Sequence, residues 1–250
     1  MQFDISRGNY FNEKGKKEPS FNATAPTEEE FFQYFPNNYC MVITGFPGTY
    51  KSSISYYIAT HCGLNRDMMK YILIEENNKN FLSQMDSLSI RNNTFDSIIN
   101  CVPFIDPSSN IAIRELFSNP LPSAEFCNKT ADIIQSLFSL DKDVEKLVII
   151  DSISTLIDYC QWDLKKARQI IGTLVNILRA KNINSIFISE RMSKEIFLNY
   201  LADIVLEIDD MSVDTTQGKD KFIRCIKFRG KKYNPRDYRI YWRSNHLFLI

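Results

Sequence analysis

At 250 residues, with 44% hydrophobic and 24% charged, the chain can bury a large core in one domain, and its composition excludes a wholly disordered polypeptide. Thirty basic residues balance thirty acidic ones, so there is no overall basic excess of the kind that coats a phosphate backbone. Cys40, Cys62, Cys101, Cys127, Cys160 and Cys225 form no C-x-x-C pair, and His61 and His246 stand far apart, which argues against a zinc site and for small core hydrophobes in a reducing compartment.

Residues 1–26 are polar, hold Gly8, Gly15, Pro19 and Pro26, and read as a loose arm ahead of one domain over 27–250. The first twenty lack an apolar stretch and carry Lys14, Lys16 and Lys17, so no signal peptide is expected. No apolar run approaches the length of a membrane span, and a cytoplasmic protein is the expectation. Thr27-Glu28-Glu29-Glu30 pairs a hydroxyl cap with a glutamate three positions on, opening a helix that carries Phe31, Phe32 and Phe35 and stops before Pro36. Short apolar runs then alternate with helical periodicity. The pattern predicts a strand over 40–44, a helix over 51–62, a strand over 71–74, a helix over 78–88 and a strand over 97–102. After a Pro/Ser/Asn-rich stretch come an amphipathic helix over 124–140, a strand over 147–150, a helix over 164–180 and a strand over 183–188. This alternation implies βαβ crossovers and a mainly parallel sheet, and strands apolar on both faces imply helices on both sides. Four last strands, over 204–208, 222–228, 238–242 and 247–250, lack intervening helices and predict an antiparallel extension at one sheet edge.

Gly45-Phe46-Pro47-Gly48-Thr49-Tyr50-Lys51-Ser52, followed by Ser53, lies between the first strand and the first helix, the context a Walker A phosphate loop requires. In such a loop backbone N–H groups and the helix N-terminus wrap phosphates, Lys51 reaches the β- and γ-phosphates, and the Ser52 hydroxyl holds Mg²⁺. The usual pattern has glycine before the lysine, where this chain has Tyr50. A side chain in a positive-φ backbone costs on the order of 1 kcal/mol or more. The tyrosine therefore implies weaker nucleotide binding or a variant loop, and the competing reading is an ordinary strand-to-helix turn.

Lys146-Leu147-Val148-Ile149-Ile150-Asp151 fits a Walker B strand, with Asp151 orienting the metal; the alternative is an aspartate that merely ends a strand. Glu75 and Glu76 close the 71–74 strand as candidates to orient water. Parallel strands gather their C-terminal ends on the ligand side, so Lys51, Glu75, Glu76 and Asp151 should converge on one edge. Adjacent carboxylates point to different sides, so only one faces the γ-phosphate; Glu75 is the preferred of the two. The competing reading is a solvated strand end.

These motifs, in this order, resemble KaiC-like ATPases of the RecA/RadA superfamily from about residue 38 to 250. Ile188-Ser189-Glu190-Arg191, Leu201-Ala202-Asp203-Ile204-Val205 and Ile226-Lys227-Phe228-Arg229-Gly230 extend the likeness. The resemblance implies a RecA-like P-loop α/β fold, ATP and Mg²⁺ as cofactors, and Ser189 as a polar γ-phosphate sensor. It also implies that Lys227 and Arg229, in a K-x-R-G hairpin, reach the γ-phosphate of a neighbouring protomer. There they would stabilise charge on the transferring phosphoryl group. The chain departs from the family at Tyr50 and in lacking a glycine-rich lead-in, where Phe35-Pro36-Asn37-Asn38 stands. With a single ATPase domain, a double-domain architecture does not apply. Phe21-Asn22-Ala23-Thr24 matches only poorly the tether of RadA-like recombinases.

The leading expectation is an ATPase that hydrolyses ATP at inter-subunit sites of a hexamer-like ring, or in a hetero-assembly, and passes a conformational change to a partner. One alternative is a degenerate nucleotide-binding adaptor, motivated by Tyr50. Another is a RadA-paralogue-like DNA-repair module that binds nucleic acid through Arg224, Lys227, Arg229, Lys231, Lys232, Arg236 and Arg239. A small-molecule P-loop kinase leaves Lys227 and Arg229 unexplained.

Overall fold

The central strands of the sheet divide their side chains between two cores. In β1 (Cys40–Gly45), Met41 and Ile43 face one core, Cys40 and Val42 the other. In β2 (Met69–Leu73), Tyr71 and Leu73 join the first core and Ile72 the second. In β4 (Leu147–Asp151), Leu147 and Ile149 oppose Val148 and Ile150 in the same way. A computed structural model describes residues 38–61, 66–74, 76–92, 99–101, 146–160, 162–191, 196–211, 220–230, 237–243 and 246–249. The expected arm over 1–26, the helices over 27–35 and 124–140, Glu75, Lys231, Lys232 and Arg236 lie outside these residues.

With β3 (Ile99–Cys101), β5 (Asn184–Glu190), β6 (Ile204–Met211), β7 (Asp220–Phe228), β8 (Asp237–Arg243) and β9 (His246–Leu249), the sheet runs β3-β2-β4-β5-β1-β6-β7-β8-β9. The strands from β3 to β6 are parallel, and β7, β8 and β9 continue the sheet antiparallel. The expected architecture is thus the observed one. Strand β5 lies between β1 and β4, so the strand before the phosphate loop and the one ending in Asp151 are not neighbours.

The first core lies under α1 (Lys51–His61) and α2 (Asn78–Ser87); α3 (Ile153–Tyr159), α4 (Leu164–Ala180) and α5 (Phe197–Leu201) cover the second. In α4, Ala167, Ile171, Leu174, Val175 and Leu178 recur at helical spacing as a buried stripe, the Ile, Leu and Val side chains each contributing about 1.5–3 kcal/mol. Asp163 opens α4 by accepting from the Lys166 N–H at 2.7 Å, and Asn77 opens α2 by accepting from the Asn80 N–H at 2.9 Å. Helix α1 is covered nearly all round, its serines included, because it lies against β1, β4 and β5. Two short helices, α3 and α5, were not expected from the sequence. Among the described residues no helix is long and apolar enough to cross a membrane.

Candidate functional site

The loop between β1 and α1 is shaped by crowding at one end and a left-handed bend at the other. A Cβ on Gly45 would stand 2.5 Å from the Ile208 carbonyl oxygen and 2.7 Å from Thr49 Oγ1, so only glycine fits against β6. Thr49 donates to the Phe46 carbonyl at 2.7 Å and closes the turn; Pro47 and Gly48 form its exposed tip, Gly48 with φ +76°. Tyr50 takes φ +67°, the conformation that glycine ordinarily supplies at this position, and its carbonyl accepts from the Ile54 N–H at 2.9 Å to start α1. Lys51, buried, lays its ammonium over the loop, donating to the Gly45 carbonyl at 3.0 Å and the Phe46 carbonyl at 2.8 Å. Ser52 is half-buried and Ser53 buried in the first turn of the helix.

Two cations brace the loop's aromatic residues from the β5–β7 side. The Arg191 guanidinium lies 5.2 Å from the Phe46 ring centroid, and its backbone N–H donates to the Gly45 carbonyl at 3.1 Å. Asp209 and Glu207 of β6 hold that guanidinium in place. Lys221 of β7 sits 5.3 Å from the Tyr50 centroid and pairs with Asp210 at 2.8 Å. Tyr50 also packs on the first core, with its ring beside Lys221 of β7.

Asp151 ends β4 at the same sheet edge. Its Oδ2 accepts from the Tyr71 hydroxyl at 2.9 Å, and that hydroxyl lies 2.7 Å from Ser55 Oγ. Burial, reinforced by the Asp151 carboxylate, pushes the Tyr71 phenol well above its usual range, so it stays protonated. Ser189 is buried on β5, in register with Thr44, and its Oγ accepts from Ser154 at 3.3 Å. Glu76 accepts from Gln84 Nε2 at 2.6 Å, which turns it along α2. The hydroxyl of Ser52 and the carboxylate of Asp151 are hard oxygen donors, and the Tyr71 network links the elements that carry them, so the set fits Mg²⁺ shared with phosphates. Among the described residues no cluster of three or more His, Cys, Asp or Glu gathers to hold a metal without such help.

Lys227 and Arg229 stand elsewhere. Phe228 pairs with Ile204 at the start of β6, the N-terminal end of the parallel strands. There Asp203 accepts from the Cys40 N–H at 3.0 Å and pairs with Arg229 at 3.0 Å and Arg179 at 2.8 Å. Lys227 donates to the Asn199 carbonyl at 2.7 Å; burial, then the adjacent Arg229 charge, lowers its pKa below the usual value. The length of β1 separates this cluster from the protomer's own loop, about 17 Å for five strand steps. Of the basic tail, Arg224 is paired with Asp237, whose carboxyl it holds below the usual range.

A family model for the KaiC ATPase matches residues 27–244. The chain belongs to the KaiC ATPase family. It therefore carries that family's ATP-binding domain, and the RecA-type fold expected from its motifs is the fold observed. A solved KaiC-like protein from the hyperthermophilic archaeon Pyrococcus horikoshii OT3 has the same fold, with a TM-score of 0.63 at 17% identity over 86% of this chain and 91% of that one. No curated protein matches the chain. Sequence reasoning about this KaiC-family domain missed Tyr71 and Lys221. A tyrosine on a fully buried strand face was the available signal for the first, since its hydroxyl must find a partner. Pairing of β7 with β6 places the second, and no local pattern announces it.

Proposed function

We propose that the protein is a Mg²⁺-dependent ATPase whose sites are completed between copies of the chain. The observation that carries this reading is the left-handed backbone of Tyr50, which keeps the phosphate loop in shape without its glycine. In this account the backbone N–H groups of the Gly45–Ser53 loop, Pro47 having none, and the start of α1 bind the phosphates. Lys51 leaves the two loop carbonyls for the β- and γ-phosphates, and Ser52 and Asp151 hold the metal. Bound Mg²⁺ supplies charge neutralisation on the β- and γ-oxygens. Ser189 senses the γ-phosphate from β5, and Glu75 or Glu76, which follow β2 in the sequence, orients the attacking water. Lys227 and Arg229 stand a strand's length from their own loop, which supports a role on a neighbouring protomer's γ-phosphate. A closed head-to-tail ring would supply that neighbour.

The test measures ATP hydrolysis and oligomeric mass together, for the wild type and for Lys51→Ala, Glu75→Ala and Arg229→Ala. Turnover lost in all three, with a nucleotide-dependent oligomer, supports the roles assigned. A wild type that binds ATP without turnover indicates a nucleotide-sensing adaptor instead. Salt-sensitive binding of single-stranded DNA would favour the repair reading, which the pairing of Arg224 and Arg229 with carboxylates weakens.

A further inference from the structure

Strand periodicity puts Tyr71 on the α1 face with Met69 and Leu73, and its side chain is fully buried there. A phenol in such a place must have its hydroxyl satisfied. Three oxygens surround it: Asp151 Oδ2 at 2.9 Å, Ser55 Oγ at 2.7 Å and the Ser52 carbonyl at 3.3 Å. Proton counting orders the network. An ionised Asp151 only accepts, so the one Tyr71 proton goes to it, along the charge-assisted path. The Ser55 hydroxyl is then the donor available to the Tyr71 oxygen, with the Ser52 carbonyl, 2.8 Å away, as its other acceptor. Strand β4 and the first turn of α1 are thereby joined through one side chain.

We infer that Tyr71 is the positioning residue of the metal site, its hydroxyl fixing the Asp151 carboxylate against the helix turn that carries Ser52. The inference rests on the Mg²⁺–nucleotide reading given above. Tyr71 touches neither phosphate nor metal, and it acts by setting the rotamer and distance of Asp151. A hydroxyl is essential to this role, and an aromatic ring alone is not enough.

The experiment titrates a fluorescent ADP analogue onto the full chain, in EDTA and across a Mg²⁺ series, with urea unfolding of each variant alongside. Tyr71→Phe is expected to leave affinity in EDTA within about twofold and to raise the Mg²⁺ midpoint roughly tenfold, the loss of one charge-assisted hydrogen bond. Ser55→Ala should raise it by about threefold, the loss of a neutral bond one step further away. In an Asp151→Asn background, Tyr71→Phe should have no further effect on the midpoint. A Tyr71→Phe protein with a wild-type Mg²⁺ midpoint overturns the inference. So does one that loses affinity equally in EDTA and Mg²⁺, which marks a purely structural role. If Tyr71→Phe fails to fold, the Ser55→Ala midpoint decides in the same way. A wild type whose affinity ignores Mg²⁺ overturns the metal reading itself, and this inference with it.

Discussion

Tyr50 is the sharpest conflict between motif and sequence, and its substitution has an unusual expected order. At φ +67° any side chain carries strain of about 1–2 kcal/mol. Against that, the half-buried ring packs on the first core for about 1.5 kcal/mol. The Lys221 ammonium 5.3 Å from its centroid adds about 0.5–1 kcal/mol. Tyr50→Ala loses the ring and keeps the strain, a destabilisation of about 2 kcal/mol. Tyr50→Gly loses the ring and relieves the strain, less about 0.5–1 kcal/mol for its greater unfolded freedom, a net of about 1 kcal/mol. Glycine should therefore be more stable than alanine here, the reverse of their order inside a helix. Urea unfolding reads the free energies, and the midpoint of thermal unfolding should fall by about 2–4 °C per kcal/mol for a chain of this size. Both variants should still bind the ADP analogue, since the ring packs on the first core beside Lys221. An alanine variant as stable as the glycine one, or loss of nucleotide binding in both, would refute this reasoning.

Other perturbations have equally definite outcomes. Gly45→Ala places a methyl 2.5 Å from a backbone oxygen of β6 and should cost at least about 2–3 kcal/mol by urea unfolding. Asp203→Ala leaves the Cys40 N–H, Arg179 and Arg229 without their shared acceptor, a loss of about 2–3 kcal/mol in the same assay. Burial pushes the Cys40 thiol from 9.0 up to about 11. Its neutral form therefore stabilises the fold fully below pH 9, and that contribution disappears as pH rises to 11. Cys40→Ala should gain on the wild type by about 2–3 kcal/mol over that interval, read from unfolding curves at each pH.

Much of this was legible because period and context agree. The buried strands are apolar on both faces, the phosphate loop sits between a strand and a helix, and Asp151 follows four apolar residues, so sheet type and ligand edge follow from local pattern. The short helices were not legible. Helix α3 is rich in Ser, Thr and Ile, and only Ser152 capping the Thr155 N–H at 3.2 Å reveals where it starts. Helix α5 spans only Phe197–Leu201, too short for periodicity to register. Where the Tyr50 ring goes could not be read at all, because it depends on Lys221, some 170 residues away, reached through strand pairing. The separation of Lys227 and Arg229 from their own loop likewise depends on the register of β6 with β7.

The central claim is a site shared between copies, and a mixing experiment addresses it most directly. Lys51→Ala and Arg229→Ala proteins, each inactive alone, would be combined in equal amounts under assembly conditions and assayed for ATP hydrolysis. An interface that joins the intact loop of one variant to the intact hairpin of the other is whole, so random mixing should restore about a quarter of the wild-type sites. Recovered turnover in the mixture supports catalysis across the interface. Mixed oligomers that form and stay inactive, or an Arg229→Ala protein that hydrolyses ATP at the wild-type rate, would contradict it.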